Sequence, residues 1–519
     1  MAITVTPNLT DISLCEATTG WTGSPAPILN DTTIWDAVQG SRCLQSYSAG
    51  AAVRNAVYDF GTTSGYWKNF SEQILIIWFS FSRKAYSATN PPMKIRLTDG
   101  NGYYRDWYIF DKTTLPHTGW IPWIIHADFG YDYESNPSFN VTQIRYVGWK
   151  IEETVVGKTY IWWDAVRFGT GLTIKGGDSG SPATFENLYI SSVDQNNAYG
   201  LVDKIGGVYY SNGKINIGSL TVDESTYFKD TSQVFIFKNI KGNPTGFYEI
   251  KGQNAVSGSG TTEIYLGDPT TGVSGCFIKA PLVMKFKLTM SDINITKFSF
   301  NGCIFVNSDI IALQPYNVNK KIISCNFESC AKLIANTCTV NKCKFISAPG
   351  DAVLISNDPY YVTDCQFIGC TRGVELDTVG DGEYEFNALK FTNTTYHVNN
   401  TSGSTLTVAN GNGANASTYT GTLVNFTGSV QLTITVTNEV GEPIVGAFAY
   451  IDDQDQSPFI MNTTTNEEGI ATVGYTGAPV IDAKWRVRKY GYKNFKQLID
   501  IVSSNIDLPV TLIVDPQQT

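Results

Sequence analysis

The sequence predicts an all-β protein in three parts: an antiparallel sandwich, a central β-helix and a second, smaller β-sandwich. Three observations carry this expectation. Strand-like runs separated by turn signals fill the first third of the 519 residues. Cys-x-Phe recurs four times in the second half, at Cys303-Ile-Phe305, Cys325-Asn-Phe327, Cys343-Lys-Phe345 and Cys365-Gln-Phe367. Period-2 strands punctuated by Gly and Pro fill the C-terminal segment.

The N-terminal part, residues 1–172, contains the runs Ile74-Leu-Ile-Ile-Trp-Phe79, Met93-Lys-Ile-Arg-Leu97, Trp107-Tyr-Ile-Phe110, Ile144-Arg-Tyr-Val-Gly-Trp149 and Tyr160-Ile-Trp-Trp-Asp-Ala-Val-Arg-Phe168. Asp99-Gly-Asn-Gly102 and Pro91-Pro92 separate some of them. Short strands at such spacing suit an antiparallel sandwich. The order of features, from Trp21-Thr-Gly23 through Val57-Tyr-Asp-Phe60 to Trp163-Asp-Ala-Val-Arg-Phe168, resembles a carbohydrate-binding-module jelly roll. That resemblance implies two candidate sites. Sugar rings would stack on exposed aromatic faces, with Trp67, Trp107, Trp120 and Trp123 as candidates, against the alternative that these indoles are core anchors. A structural calcium ion would use Glu16 and Asp164, although calcium takes six to eight oxygens and two carboxylates do not complete a site.

Residues 173–230 read as a linker and a cap for the β-helix. Gly177-Asp-Ser-Gly-Ser-Pro182 copies the nucleophile loop of chymotrypsin-like proteases. Serine chemistry needs a His to take the proton and an Asp to orient that His. Only His117 and His126 precede Ser179, and neither has that family's Ala-Ala-His-Cys context. The loop therefore reads as linker, and the following 187–202 segment as a short helical cap over the open end of the solenoid.

The β-helix is expected over 231–429. The Cys-x-Phe starts lie 22, 18 and 22 residues apart. Each Cys is followed five residues later by Ser308, Cys330, Ala348 or Cys370, and then by an apolar strand. A fifth copy, Leu389-Lys-Phe391 with Thr394, lacks the Cys. Repeats of this length and β content stack as a solenoid. Residues i and i+2 of a strand share a face, so Cys and Phe point inward and Ile304, Asn326, Lys344 and Gln366 outward. Cys303, Cys325, Cys343 and Cys365 would then form one internal ladder, Phe305, Phe327, Phe345 and Phe367 a second, and the small residues a third at a bend. This resembles the right-handed parallel β-helix of the pectin-lyase-like superfamily.

Eight of the ten cysteines fall between Cys276 and Cys370. Zinc needs thiolates converging on a point, and a ladder spreads them along an axis. The N-terminus has no signal-peptide pattern. Buried free thiols are therefore expected over disulfides or metal, together with synthesis in a reducing compartment.

Glycan cleavage would need paired carboxylates on one groove. The outward positions of the second strand of each rung read Ala312, Ile334, Leu354 and Glu375, while Asp309, Asp351 and Asp377 fall in other columns. No pair is expected on adjacent rungs, so no catalytic residue is assigned.

The last part, residues 430–519, opens with the strand Leu432-Thr-Ile-Thr-Val436, followed by Asn438-Glu-Val-Gly-Glu-Pro443, Thr463-Thr-Thr-Asn-Glu-Glu-Gly469 and Arg488-Lys-Tyr-Gly-Tyr-Lys493. This order resembles the carboxypeptidase-regulatory-like, transthyretin-type β-sandwich, mostly an accessory domain. The strip Lys484, Arg486, Arg488, Lys489 and Lys493 could contact an acidic neighbour or glycan, or be a solvated strand face.

A net charge of −10 argues against a nucleic-acid partner. No apolar run is long enough to span a membrane. The three-part assembly resembles the structural proteins of tailed-bacteriophage virions, such as tail fibres, tailspikes and head or neck fibres. That resemblance implies synthesis in the host cytoplasm, a place in the virion beside other virion proteins, homo-oligomerisation (a homotrimer foremost), host-surface glycan adhesion and no cofactor beyond the calcium ion considered above. Two alternatives remain open: a virion polysaccharide depolymerase acting on the β-helix, and a bacterial surface glycan-binding protein.

Overall fold

The computed structural model describes residues 1–30, 37–38, 41–48, 53–81, 93–108, 119–152, 159–193, 198–221, 223–238, 248–253, 260–267, 275–280, 286–289, 295–311, 320–330, 332–334, 338–355, 362–378, 383–411, 413–428, 430–453, 456–475, 480–501 and 506–517. His117 and Ala312 lie outside these residues, as does the side chain of Asp309. The fold is all-β, as expected, with Phe185–Val193 the one α-helix among the described residues. The chain forms two compact units, residues 1–266 with 276–297 and residues 267–275 with 298–519.

The first unit begins as a sandwich. One sheet contains Thr4–Ser13, Ile28–Asn30, Cys43–Ser48, Ile74–Phe81, Ile121–His126 and Thr159–Lys175. The other runs in the order Tyr133–Glu134, Tyr104–Tyr108, Met93–Asp99, Ile144–Glu152, Val53–Asp59 and Trp21–Ser24. Met93–Asp99 alternates strictly between buried and partly exposed residues, the pattern of a strand with one face in a core. The core between the sheets is rich in large aromatics, and Trp149 and Trp163 meet edge to face with centroids 5.0 Å apart.

The expected linker after residue 172 is strand instead. Thr159–Lys175 runs through that position, and Gly171–Ile174 pairs in parallel with Lys214–Ile217. The last sandwich strand thus becomes the first strand of a coiled sheet. Gly171 permits the junction, because a Cβ there would lie 1.9 Å from the Lys214 carbonyl oxygen. Gly177–Pro182 is an ordered turn. Asp178 and Ser181 exchange backbone hydrogen bonds, and the Asp178 carboxylate accepts the Gly180 and Ser181 amides. Parallel pairing also starts earlier than residue 231, since Val208–Ser211 already pairs with Val234–Phe237. Helix Phe185–Val193 packs Phe185 on Phe228 and Phe235 of these first turns, at 5.2 and 4.5 Å. The Asp230 carboxylate accepts the Phe185 amide at 2.7 Å, satisfying a donor at the helix start.

The second unit contains three parallel ladders. Ile304–Val306, Asn326–Glu328, Lys344–Ile346, Gln366–Ile368 and Lys390–Thr392 form one. In it Phe305, Phe327, Phe345, Phe367 and Phe391 stack face to face, with successive centroids 5.4, 4.9, 5.1 and 4.8 Å apart. These distances are set by the spacing of neighbouring strands, about 4.8 Å. All ten cysteines of the chain are buried as thiols, none joined in a disulfide.

One detail of the rung differs from expectation. The bend is not at the small residue but one position earlier. Asn307, Ser329, Ser347, Gly369 and Asn393 all have φ between 51° and 62°. A second left-handed position precedes each Cys or its Leu equivalent: Gly302, Ser324, Lys342, Asp364 and Ala388. Gly and Asn enter this region most readily, and several of these ten positions hold them. The small residue after the bend points inward and caps a carbonyl left by the turn. Cys330 donates to Phe305 O at 3.4 Å, Cys370 to Phe345 O at 3.4 Å and Thr394 to Phe367 O at 3.1 Å.

The unit ends in a sandwich. Val430–Thr437 pairs with Ile470–Tyr475 and Ile506–Thr511, facing a sheet ordered Gln456–Thr464, Phe448–Asp453, Val480–Arg488 and Phe495–Ile501. Trp485, Ile451, Leu432 and Ile434 lie in its core.

Candidate functional site

Strand Ile74–Phe81 is buried along its whole length. Leu75, Ile77, Phe79 and Phe81 enter the sandwich core. Alternation then sends Ile74, Ile76, Trp78 and Ser80 to the opposite face. That face is covered within the same unit by the segment following the helix, and a cavity of about 600 Å³ lies there.

Its walls follow from local sequence. Trp78 pairs with Pro122 on the neighbouring strand, and both line the cavity with Trp120. Gly200, at φ 72°, lets the chain pass close by, since a Cβ there would lie 2.8 Å from Trp78 and from Pro122. The segment is pinned by Arg167, which donates to Ala198 O at 2.9 Å and to Asp11 at 2.8 Å. Ser192 accepts the Val202 amide and offers its carbonyl to Gly200 N.

Four polar groups meet these apolar walls. Asn212 is 8% exposed, and its side-chain amide makes no hydrogen bond among the described residues. The Trp78 indole N–H is buried and likewise has no acceptor among them. At the rim Lys238 pairs with Asp203 at 3.2 Å, both partly exposed. An indole-and-proline wall with an unengaged amide and a charged pair is a surface for a ligand with apolar faces and several hydroxyls.

The other indoles singled out from sequence lie elsewhere. Trp107 is 3% exposed and donates to Phe129 O at 2.8 Å. Trp123 packs against the sandwich core. Trp67 donates to Gly61 O at 3.1 Å, and its ring fills the space a side chain at residue 100 would need. Trp78, Asn212, Asp203 and Lys238 were not singled out from sequence. The one signal for Trp78 was the run Ile74–Phe79, apolar at every position, which announces a second buried face.

Glu16 and Asp164 both hold backbone. Glu16 accepts the amides of Ser41 and Arg42 at 2.9 and 3.1 Å. Asp164 accepts those of Val38 and Ala165 at 2.8 and 2.7 Å. N–H groups converge on these carboxylates, a donor set that fits a pinned loop and not a cation, which needs oxygen ligands. Among the described residues no group of three or more His, Cys, Asp or Glu could hold a metal.

On the coil of the second unit, Asp351 and Glu375 come together after all, although their columns differ. Leu354 pairs with Glu375 and Asp351 with Arg372. Lys332 bridges the two carboxylates, contacting Glu375 and lying 3.8 Å from Asp351. A long side chain from the preceding rung reaches both columns, which strand register alone does not reveal. Burial raises the Asp351 pKa, but hydrogen bonds from Arg372 and Asn399 outweigh it and hold the carboxyl below its usual range.

No protein-family model matches the chain, and no curated protein matches it. Among solved structures it is similar to the Bacillus anthracis TIE protein, at 21% identity over 18% of each chain and a TM-score of 0.15. It is similar to the agarase AgWH50C at 8% identity, over 31% of this chain and 24% of that one, with a TM-score of 0.24. A family 11 carbohydrate-binding module from Clostridium thermocellum, in complex with a β-1,3-1,4-mixed-linked tetrasaccharide, matches at 12% identity over 31% of this chain and 94% of the module, with a TM-score of 0.22. The chain thus spans 18% of the TIE protein chain and 24% of the agarase chain.

Proposed function

We propose that this chain is a non-enzymatic structural protein of a bacteriophage virion, a fibre or spike on tail, head or neck, and that it adheres to a host-surface glycan through the cavity beside Trp78 and Trp120. The observation that carries the adhesion reading is the cavity itself. It combines indole and proline walls with the Asn212 amide and the Asp203–Lys238 pair. A sugar ring would lay its C–H face on the indoles and exchange hydroxyl hydrogen bonds with the polar groups. The stacked rungs supply a stiff rod. Ten buried thiols outside disulfides suit a protein that folds in a reducing cytoplasm before joining a particle. Assembly as a homotrimer with other virion proteins belongs to the same proposal.

The depolymerase alternative would use Asp351 and Glu375. Hydrolysis needs one of such a pair protonated. Arg372 and Lys332 instead hold Asp351 in its charged form, and Lys332 sits between it and Glu375, so the cluster reads as packing.

The test is an array of uncharged bacterial surface glycans probed with the full chain, paired with antibody labelling of particles. Binding by the wild type, loss in Trp120→Ala and label on the particle are expected. Binding that survives Trp120→Ala unchanged, or release of new reducing ends, would overturn the reading.

A further inference from the structure

We infer that the outer face of the C-terminal four-stranded sheet is a second binding site, built for an anionic polysaccharide. One face of this sheet is core: Ile451, Met461, Trp485 and Val487 are buried. Alternation places Lys484, Arg486 and Arg488 on the other face, about 7 Å apart along one strand. Register sets Phe448 beside Arg488, Tyr450 beside Arg486, and Lys496 on the far side of Arg486.

The charges are positioned rather than loose. Arg486 and Arg488 both donate to the Tyr450 hydroxyl, and their guanidiniums lie 5.3 and 5.2 Å from its ring. Asp452 pairs with Arg486 at 3.2 Å. Arg488 has no carboxylate partner among the described residues. The Lys489 ammonium is held by the carbonyls of Val445 and Gly446 at 2.7 and 3.3 Å, and among the described residues it too lacks a carboxylate. Asp452 offsets Arg486, whereas Arg488, held on the same phenol, is left for an anion from outside the chain to offset. The chain as a whole is acidic, with a net charge of −10, so this strip is a local reversal of sign.

Beside these cations is a cavity of about 410 Å³ lined by Phe448, Arg488, Lys489, Tyr490 and Asn494. Tyr490 is 85% exposed and Phe448 43%. Presenting two rings to water next to fixed cations suits a ligand with both a flat apolar face and a negative charge. A sugar bearing a carboxylate or phosphate has both. The Arg488 fork would take the anion in a bidentate manner, Lys489 would add a point charge, and Tyr490 would stack on the ring.

Titration of the full chain with polygalacturonate, neutral dextran and inorganic polyphosphate tests this. Polygalacturonate is expected to bind, dextran not. Polyphosphate is expected to bind more weakly, because Tyr490 has nothing to stack on. Arg488→Ala should weaken polygalacturonate binding about tenfold or more and Tyr490→Ala about fivefold. Both side chains are exposed enough to remove without unfolding the sheet, and unchanged circular dichroism checks this. Trp120→Ala should leave this binding unaltered, which separates it from the cavity in the first unit. Equal binding of dextran, equal affinity for polyphosphate with no effect of Tyr490→Ala, or an Arg488→Ala variant of wild-type affinity would each overturn the proposal.

Discussion

The imidazole of His397 lies flat on the ring of Phe391, with centroids 4.6 Å apart and planes 13° from parallel. It extends the column of five stacked phenylalanines by one more aromatic ring. Its Nδ1 accepts the Ser417 amide at 2.9 Å, so the ring is built into the coil in its neutral form.

Acid should therefore loosen the protein above the pH at which ordinary carboxylates titrate. Burial pushes the pKa of His397 down to about 4. Burial, helped by the nearby Lys214 charge, does the same to His126. Each folded-state value lies below the ordinary 6.5, so the unfolded chain binds more protons between pH 6.5 and 4. Stability from both groups is full above pH 6.5 and is lost as pH falls toward 4, by up to about 3 kcal/mol each. Asp230, raised by burial to about 6, acts the other way as one group against two. A melting series against pH checks this. His397→Phe keeps the stack and should flatten the acid limb.

Phe345 sits mid-column between Phe327 and Phe367. Phe345→Ala should cost about 3–5 kcal/mol, as for other large buried aromatics. Glycan binding by the first unit should be unchanged in the folded variant. Denaturant unfolding and the glycan array measure the two effects separately.

The cysteines should be silent in the native protein. Burial raises the thiol pKa of Cys325 and Cys365 well above the usual value, and a buried thiol reacts slowly. A thiol-labelling reagent should find no groups in native buffer and all ten in denaturant. Cys343→Ala should cost roughly 1–2 kcal/mol, a small buried group lost.

Calcium should not matter to the sandwich. Glu16 and Asp164 already accept four backbone amides between them. Chelator should leave the melting temperature unchanged. A calcium-dependent rise would show that the loop they pin can rearrange to offer oxygens.

Much of the fold was legible because it repeats. Cys-x-Phe reports strand, inward face and rung length at once, and its spacing needs no tertiary information. The bend was misplaced by one residue because its signal is conformational. Asn307, Ser329 and Ser347 mark it through left-handed backbone, whereas the small residue that stands out in sequence is a carbonyl cap. The join at residue 172 was hidden because Gly-Gly-Asp-Ser-Gly-Ser-Pro reads as a break, while the strand ahead of it is already pairing with Lys214–Ile217. The candidate site was less legible. Trp120 was singled out for its residue type, but Trp78, Asn212 and Lys238 come from segments distant in sequence. Only tertiary pairing brings them to one wall. The Asp351–Lys332–Glu375 cluster was missed for the same reason: a flexible lysine spans columns that register keeps apart.

The most direct test of the central claim is calorimetric titration of the best array glycan into the full chain, with Trp120→Ala and Asn212→Leu beside it. The account predicts one site per chain in the wild type, weakened about tenfold or more in each variant, with melting temperatures held within a few degrees. With an uncharged array glycan as titrant, which the cationic C-terminal sheet is not expected to hold, wild-type affinity in both variants would contradict it, because the sugar would then be bound somewhere other than the cavity beside Trp78.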